Sequence, residues 1–95
     1  MSKIKNMKDL SELFKAFSDP TRREILDLLK QKDLTPSEIL EKIEVSQPTL
    51  SHHLDILKRA NLISGEREGQ FIKYSLNMSV FQMAIEYMTK FIKRR

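Results

Sequence analysis

The sequence predicts a mainly helical α+β fold in which four helices are followed by a β-hairpin and a closing helix. Two observations carry this. Apolar residues recur at helical spacing along most of the chain, in stretches separated by caps and prolines, and the period changes only between Leu62 and Leu76. With 95 residues there is room for one small core, so residues 1–95 are expected to form a single domain.

In the first stretch Met7, Leu10, Leu13, Phe14 and Phe17 keep helical phase until Ser18-Asp19-Pro20 stops it. Asp19 reads as an N-cap with Pro20 at the first helical position, opening a second helix through Ile25, Leu26, Leu28 and Leu29 that closes at Gln31-Lys32-Asp33. Thr35-Pro36-Ser37-Glu38 combines a cap, an early proline and a capping-box glutamate, starting a short third helix with Ile39, Leu40 and Ile43 inward. Ser46 opens a fourth, from about Gln47 to Ala60, which Asn61 can end because asparagine tolerates the left-handed conformation. Leu62-Ile63 and Phe71 to Leu76 read as strands, with Glu66-Arg67-Glu68-Gly69-Gln70 as the turn and Gly69 supplying positive φ. Ser79-Val80-Phe81-Gln82 repeats the capping-box pattern and begins a last helix reaching about Ile92, where Lys90, Lys93, Arg94 and Arg95 complement the helix dipole.

Only the few residues around Glu44 and Val45 join the third and fourth helices, so the two must cross steeply as a helix-turn-helix. A hairpin directly after the second of them completes a winged helix-turn-helix, an arrangement that binds nucleic acid. On the fourth helix Leu50, Leu54 and Leu57, with Ala60 beside them, form the buried stripe, opposite Gln47, Pro48, Ser51, His52, Asp55, Lys58 and Arg59. The N-terminal part of that arc is small, polar and nearly uncharged, as a helix entering a major groove requires for its backbone to approach the base edges. Gln47, Ser51 and His52 suit base edges, and Lys58 and Arg59 suit phosphates. His53 lies about 100° further round than His52, beside the buried stripe, and is expected at the core edge, bonded to backbone or a neighbouring helix.

The absence of cysteine excludes disulfides, thiolate zinc sites and a cysteine nucleophile. The divergent His52 and His53 cannot chelate one ion, so neither metal nor other cofactor is expected. The N-terminal Lys3, Lys5 and Lys8 precede no long apolar run, so neither a leader peptide nor membrane insertion is expected and the protein reads as cytoplasmic. A formal charge of +4 fits an anionic partner. Ser51, His52 and Asp55 superficially form a triad, but they share one open helix face without an oxyanion hole, and no enzyme is expected. Arg22 and Arg23 open the second helix, where cations are unfavourable, which points to a phosphate or a carboxylate on the first helix as partner.

Phe14 to Leu26, including Phe17-Ser18-Asp19-Pro20-Thr21-Arg22-Arg23, resembles the opening of the ArsR family of bacterial winged-helix repressors. Val45-Ser46-Gln47-Pro48-Thr49-Leu50-Ser51-His52-His53-Leu54 resembles that family's recognition helix, and Arg67 to Tyr74 its wing. Within the family the chain is most similar to the small SdpR-type repressors. The resemblance implies a homodimer, paired through the first and last helices, that represses transcription from a palindromic operator on double-stranded DNA. It also places Gln47, Pro48, Ser51 and His52 toward the major groove and Arg67 on the wing tip, and Thr49 joins that DNA-binding set. The metal sites of many relatives lack their ligands here: Leu34-Thr35-Pro36 stands where those have cysteines, and the last helix has no histidine.

Val80, Phe81, Met83, Ala84, Ile85, Tyr87, Met88, Phe91 and Ile92 spread over roughly 200° of the last helix, more than one core requires. The surplus is expected to pair two chains, with Leu10, Phe14, Phe81, Met83, Tyr87, Met88 and Phe91 in the contact and Met83 and Tyr87 outermost. The residues alone leave open a winged helix that contacts protein or RNA, and a regulatory protein as a further partner. Operator sequence, regulated genes and inducing signal are not legible.

Overall fold

The computed structural model describes residues 7–92, with the side chains described from residue 9. The expectations placed on Lys3, Lys5, the side chains of Met7 and Lys8, and Lys93, Arg94 and Arg95 lie outside the described residues. The order is α1 (Met7–Phe17), α2 (Pro20–Gln31), α3 (Pro36–Leu40), α4 (Gln47–Arg59), β1 (Ile63–Glu68), β2 (Phe71–Leu76) and α5 (Met78–Ile92).

Local chemistry sets most of the boundaries. The Asp19 carboxylate accepts from the Arg22 backbone N–H at 3.1 Å, and Pro20 opens α2 where its missing N–H leaves no bond unmade. Thr35 and Glu38 exchange side-chain and backbone bonds of 3.3 and 2.8 Å in a full capping box at the head of α3. At the end of α4 Asn61 takes φ +61°, its N–H donates to Lys58 O and the Leu62 N–H reaches back to Leu57 O. That is a Schellman motif, and its apolar pair, Leu57 and Leu62, is fully buried.

One core joins these elements, drawing Leu13 and Ala16 from α1, Ile25, Leu26 and Leu29 from α2, Ile39 from α3 and Leu50, Leu54 and Leu57 from α4. Ile63 and Tyr74 bring the root of the hairpin into it, and Val80 and Ala84 the first turns of α5. The third helix is a single turn, so Ile43 is buried from the connection after it and Leu40 is half-buried.

The hairpin differs from the expectation. Pairing runs from Ile63↔Leu76 out to Glu68↔Phe71, so Glu66, Arg67 and Glu68 are strand and the turn is Gly69-Gln70 alone. Gly69 has φ +63° at the first turn position, as a type II′ turn requires. Charged residues are tolerated in β1 because beyond Ile63 it stands clear of the core. Gly65 lies opposite Tyr74, and a Cβ there would come within 2.9 Å of Tyr74 Cε1 and Ile72 Cγ2. The ring therefore needs that glycine. Leu34 and Tyr74 exchange backbone bonds of 3.1 and 2.8 Å, which pin the hairpin root to the segment between α2 and α3. The last helix also starts earlier than expected, at Met78, and the Ser79 hydroxyl donates to Asn77 Oδ1 at 2.8 Å.

Candidate nucleic-acid interface

The fourth helix presents two distinct faces. Leu50, Leu54 and Leu57 are buried, whereas Gln47, Pro48, Thr49, Ser51, His52, Lys58 and Arg59 are all exposed. Its N-terminus is held by Ser46, whose Oγ accepts from the Thr49 N–H at 3.2 Å and donates to Thr49 Oγ1 at 2.9 Å. Thr49 therefore belongs to the cap as well as to the exposed set. Small polar side chains at the free end of a capped helix leave its backbone able to enter a groove.

His53 is half-buried, and its Nδ1 lies 3.3 Å from Arg22 Nη1 on α2, the neighbouring-helix bond expected of it. Burial, reinforced by the charges of Arg22 and His52 and opposed by Asp19, holds its imidazole below the ordinary histidine range.

Arg22 is 8% exposed, and within the chain its side chain bonds backbone carbonyls and His53, with no carboxylate of the first helix among these partners. Its Nε donates to Ala16 O at 2.7 Å and its Nη2 to Lys15 O at 3.0 Å, while Arg23 Nη1 donates to Phe17 O at 3.0 Å. The two arginines close the C-terminus of α1, where exposed carbonyls and the dipole favour cations. A charge unfavourable for its own helix thus serves the preceding one.

Arg59 is engaged on its own helix: Nε and Nη2 both reach Asp55 Oδ2, which lowers the Asp55 carboxyl and raises the guanidinium further. The same pair occupies the carboxylate of the superficial triad. On the wing, exposed Arg67 stands opposite Ile72, and its Nη1 donates to Gly69 O at 3.3 Å, beside the tip. Lys73 meets Glu68 at 3.8 Å.

A second surface is apolar. Phe14 is 40% exposed on α1, and Ile85, Met88, Phe91 and Ile92 on α5 are 60%, 45%, 68% and 81% exposed. Leu10, expected in the contact between chains, is instead buried within this one. Met83 and Tyr87 are half-buried, not outermost; Val80 and Ala84 turn toward the core and carry these two with them, so Ile85 and Ile92 lie farthest round the helix from the core side. Phe81 is half-buried and meets Phe17 edge-on at 6.5 Å, and Tyr87 meets Phe91 at 5.3 Å. Ile85 and Ile92 were in the apolar arc read from sequence, but only the phase of α5 on the core identifies them as its outer edge. Among the described residues no helix is long and apolar enough to cross a membrane.

Residues 19–64 match the family model described as bacterial regulatory protein, arsR family. The chain is 54% identical over 85 residues to the transcriptional repressor SdpR of Bacillus subtilis (strain 168), covering 90% of this chain and 94% of that protein. Among solved structures it is similar to an ArsR-like transcriptional regulator from Rhodococcus sp. RHA1, with a TM-score of 0.84 and 26% identity over 90% of this chain and 80% of that one. It also shares its fold with a homodimeric winged helix-turn-helix DNA-binding domain from Mycobacterium bovis, with a TM-score of 0.75 and 24% identity over 100% of this chain and 94% of that one. These relatives are regulators, not enzymes.

Proposed function

The chain belongs to the ArsR family of bacterial regulatory proteins, and from that premise we propose that it is a cytoplasmic repressor binding a palindromic operator as a homodimer. The observation that carries the reading is the exposure of Gln47, Ser51 and His52 on a helix whose leucine stripe of Leu50, Leu54 and Leu57 is buried. Gln47 reads a base edge, with adenine its best bidentate partner, and Ser51 and His52 offer hydrogen bonds to neighbouring acceptors; Pro48 and Thr49 shape the approach. Lys58 and Arg59 neutralise phosphates, and Arg67 extends from the wing toward the minor groove or its phosphates.

One helix of this length reads too few base pairs for specificity. Two copies related by a two-fold axis read half-sites one helical turn, about 34–36 Å, apart, which is the use of a palindrome. Support for pairing comes from the apolar face of Phe14, Ile85, Met88, Phe91 and Ile92, and from the homodimeric assembly of the M. bovis relative.

Selection of bound duplexes from a random pool with the purified protein tests the function. The expected outcome is one palindromic consensus held at least about 10³-fold more tightly than random duplex. Equal affinity for every duplex would remove operator recognition, and a preference for single-stranded RNA would replace it.

A further inference from the structure

Between α1 and α4 lies a cleft of about 400 Å³ lined by Glu12, Lys15, Arg22, His52, Ile56 and Arg59. Three cationic groups face one carboxylate there. At about 100° per residue, His52, Ile56 and Arg59 fall within roughly 60° of one another on the flank of α4, turned away from Gln47. His52 borders both the groove-facing arc and the cleft. A duplex whose major groove receives the first turns of α4 therefore brings one of its two backbones past this flank.

The cations differ in what already holds them. Arg22 is committed to two carbonyls and His53. Asp55 takes Nε and Nη2 of Arg59, leaving Nη1 outside that pair. Lys15 is exposed, and among the described residues no carboxylate closes a salt bridge with it. Its backbone carbonyl serves Arg22, so its side chain stands at a fixed, hydrogen-bonded helix end.

We infer that this cleft seats a backbone phosphate of the operator, with Lys15 as its principal cation and Arg59 Nη1 and His52 as flanking donors. The inference rests on the DNA-binding reading above and adds a contact from α1, outside the helix-turn-helix and the wing. A phosphate there is read as charge and carries no base preference.

The test measures affinity against salt for the unmutated chain, Lys15→Gln, Lys15→Arg and, as a control for net charge, Lys30→Gln on the exposed face of α2. Each lost phosphate contact flattens the plot of log K against log salt by about 0.9, so two per dimer change the slope by about 1.8. At 0.1 M salt that is a loss of up to about 60-fold, equal for operator and random duplex. Lys15→Arg should restore most of it and Lys30→Gln should leave the slope alone. Glu12→Gln, which removes the one opposing carboxylate, should tighten both duplexes. Neutral methylphosphonates placed one at a time along the operator should reveal one position per half-site that weakens the unmutated chain but not Lys15→Gln. An unmutated chain with no affinity for duplex DNA removes both readings. Duplex binding with affinity and slope indifferent to Lys15→Gln, or changed equally by Lys30→Gln, overturns this one alone.

Discussion

Replacing Arg22 by methionine keeps the length and apolar stem of the side chain and deletes the group that joins α1 to α4. Three contacts disappear, to Ala16 O, Lys15 O and His53 Nδ1. They do not weigh equally. Lys15 O retains the Ser18 N–H and hydroxyl at 3.2 and 2.7 Å, whereas Ala16, with no exposed surface, loses the donor to its carbonyl. A buried acceptor left unpaired costs about 1–3 kcal/mol, and a charged hydrogen bond contributes about 1.5–3 kcal/mol. Loss of the cation from the end of α1 adds up to about 1 kcal/mol, offset in part because methionine needs no desolvation of charge. The expected net loss is about 3 kcal/mol, a fall in Tm of roughly 12–24 °C for a domain of this size. Urea and thermal unfolding measure it. Arg23→Met, which deletes an exposed bond to Phe17 O, serves as the control and should cost under about 0.5 kcal/mol. If Arg22→Met stays within 1 kcal/mol of the unmutated chain, or the two variants fall together, the helix-closing role is refuted.

Three further outcomes follow from the same geometry. His53 has its folded-state pKa depressed, so its contribution to stability is present above its ordinary value of about 6.5 and is lost as pH falls through the folded value; Tm should drop between pH 7 and 5, a drop that His53→Gln flattens. Asp19, also lowered, adds a loss of the same sign only below about pH 4, so an unfolding midpoint flat from pH 7 to 5 would contradict the His53 assignment. Ile85→Glu or Met88→Glu should give a monomer by sedimentation with undiminished helical circular dichroism and weakened operator binding, since both positions are exposed in the single chain; a charged variant that still sediments as a dimer would move the contact elsewhere. Gln47→Ala or His52→Ala should cost about 1–3 kcal/mol of operator binding and relax base preference, whereas Lys58→Ala should weaken all duplexes alike, as competition with altered operators will show.

The sequence was most legible where a structural decision is local. Asp19-Pro20, Thr35 with Glu38, Ser46 and Asn61 each satisfy or release backbone groups within a few residues, so four helix boundaries could be placed from short strings. It was least legible where the decision depends on packing. Beyond Ile63, β1 carries no alternating apolar signal because that part of the hairpin has no core beneath it, and its charges read as turn. The misfit of Arg22 at a helix start was visible, but its partners are carbonyls, which have no signature in side-chain composition. On α5 the width of the apolar arc was readable, while its outer edge depends on where Val80 and Ala84 meet the core. Within the candidate interface, the exposed arc of α4 followed from periodicity, but the attachment of Arg59 to Asp55 and the approach of α1 did not.

The separation of the two faces of α4 has an evolutionary consequence. Leu50, Leu54 and Leu57 carry the packing and Ser46 the cap, so Gln47, Ser51 and His52 contribute almost nothing to holding the helix in place. Exposed positions of this kind usually change stability by no more than about 0.5 kcal/mol when substituted. If these three read the operator as proposed, a lineage that duplicates this chain can rewrite its address on the chromosome at those sites while every intermediate still folds. On that reading the same freedom is open to an engineer: a library confined to Gln47, Ser51 and His52 would search operator space without searching fold space.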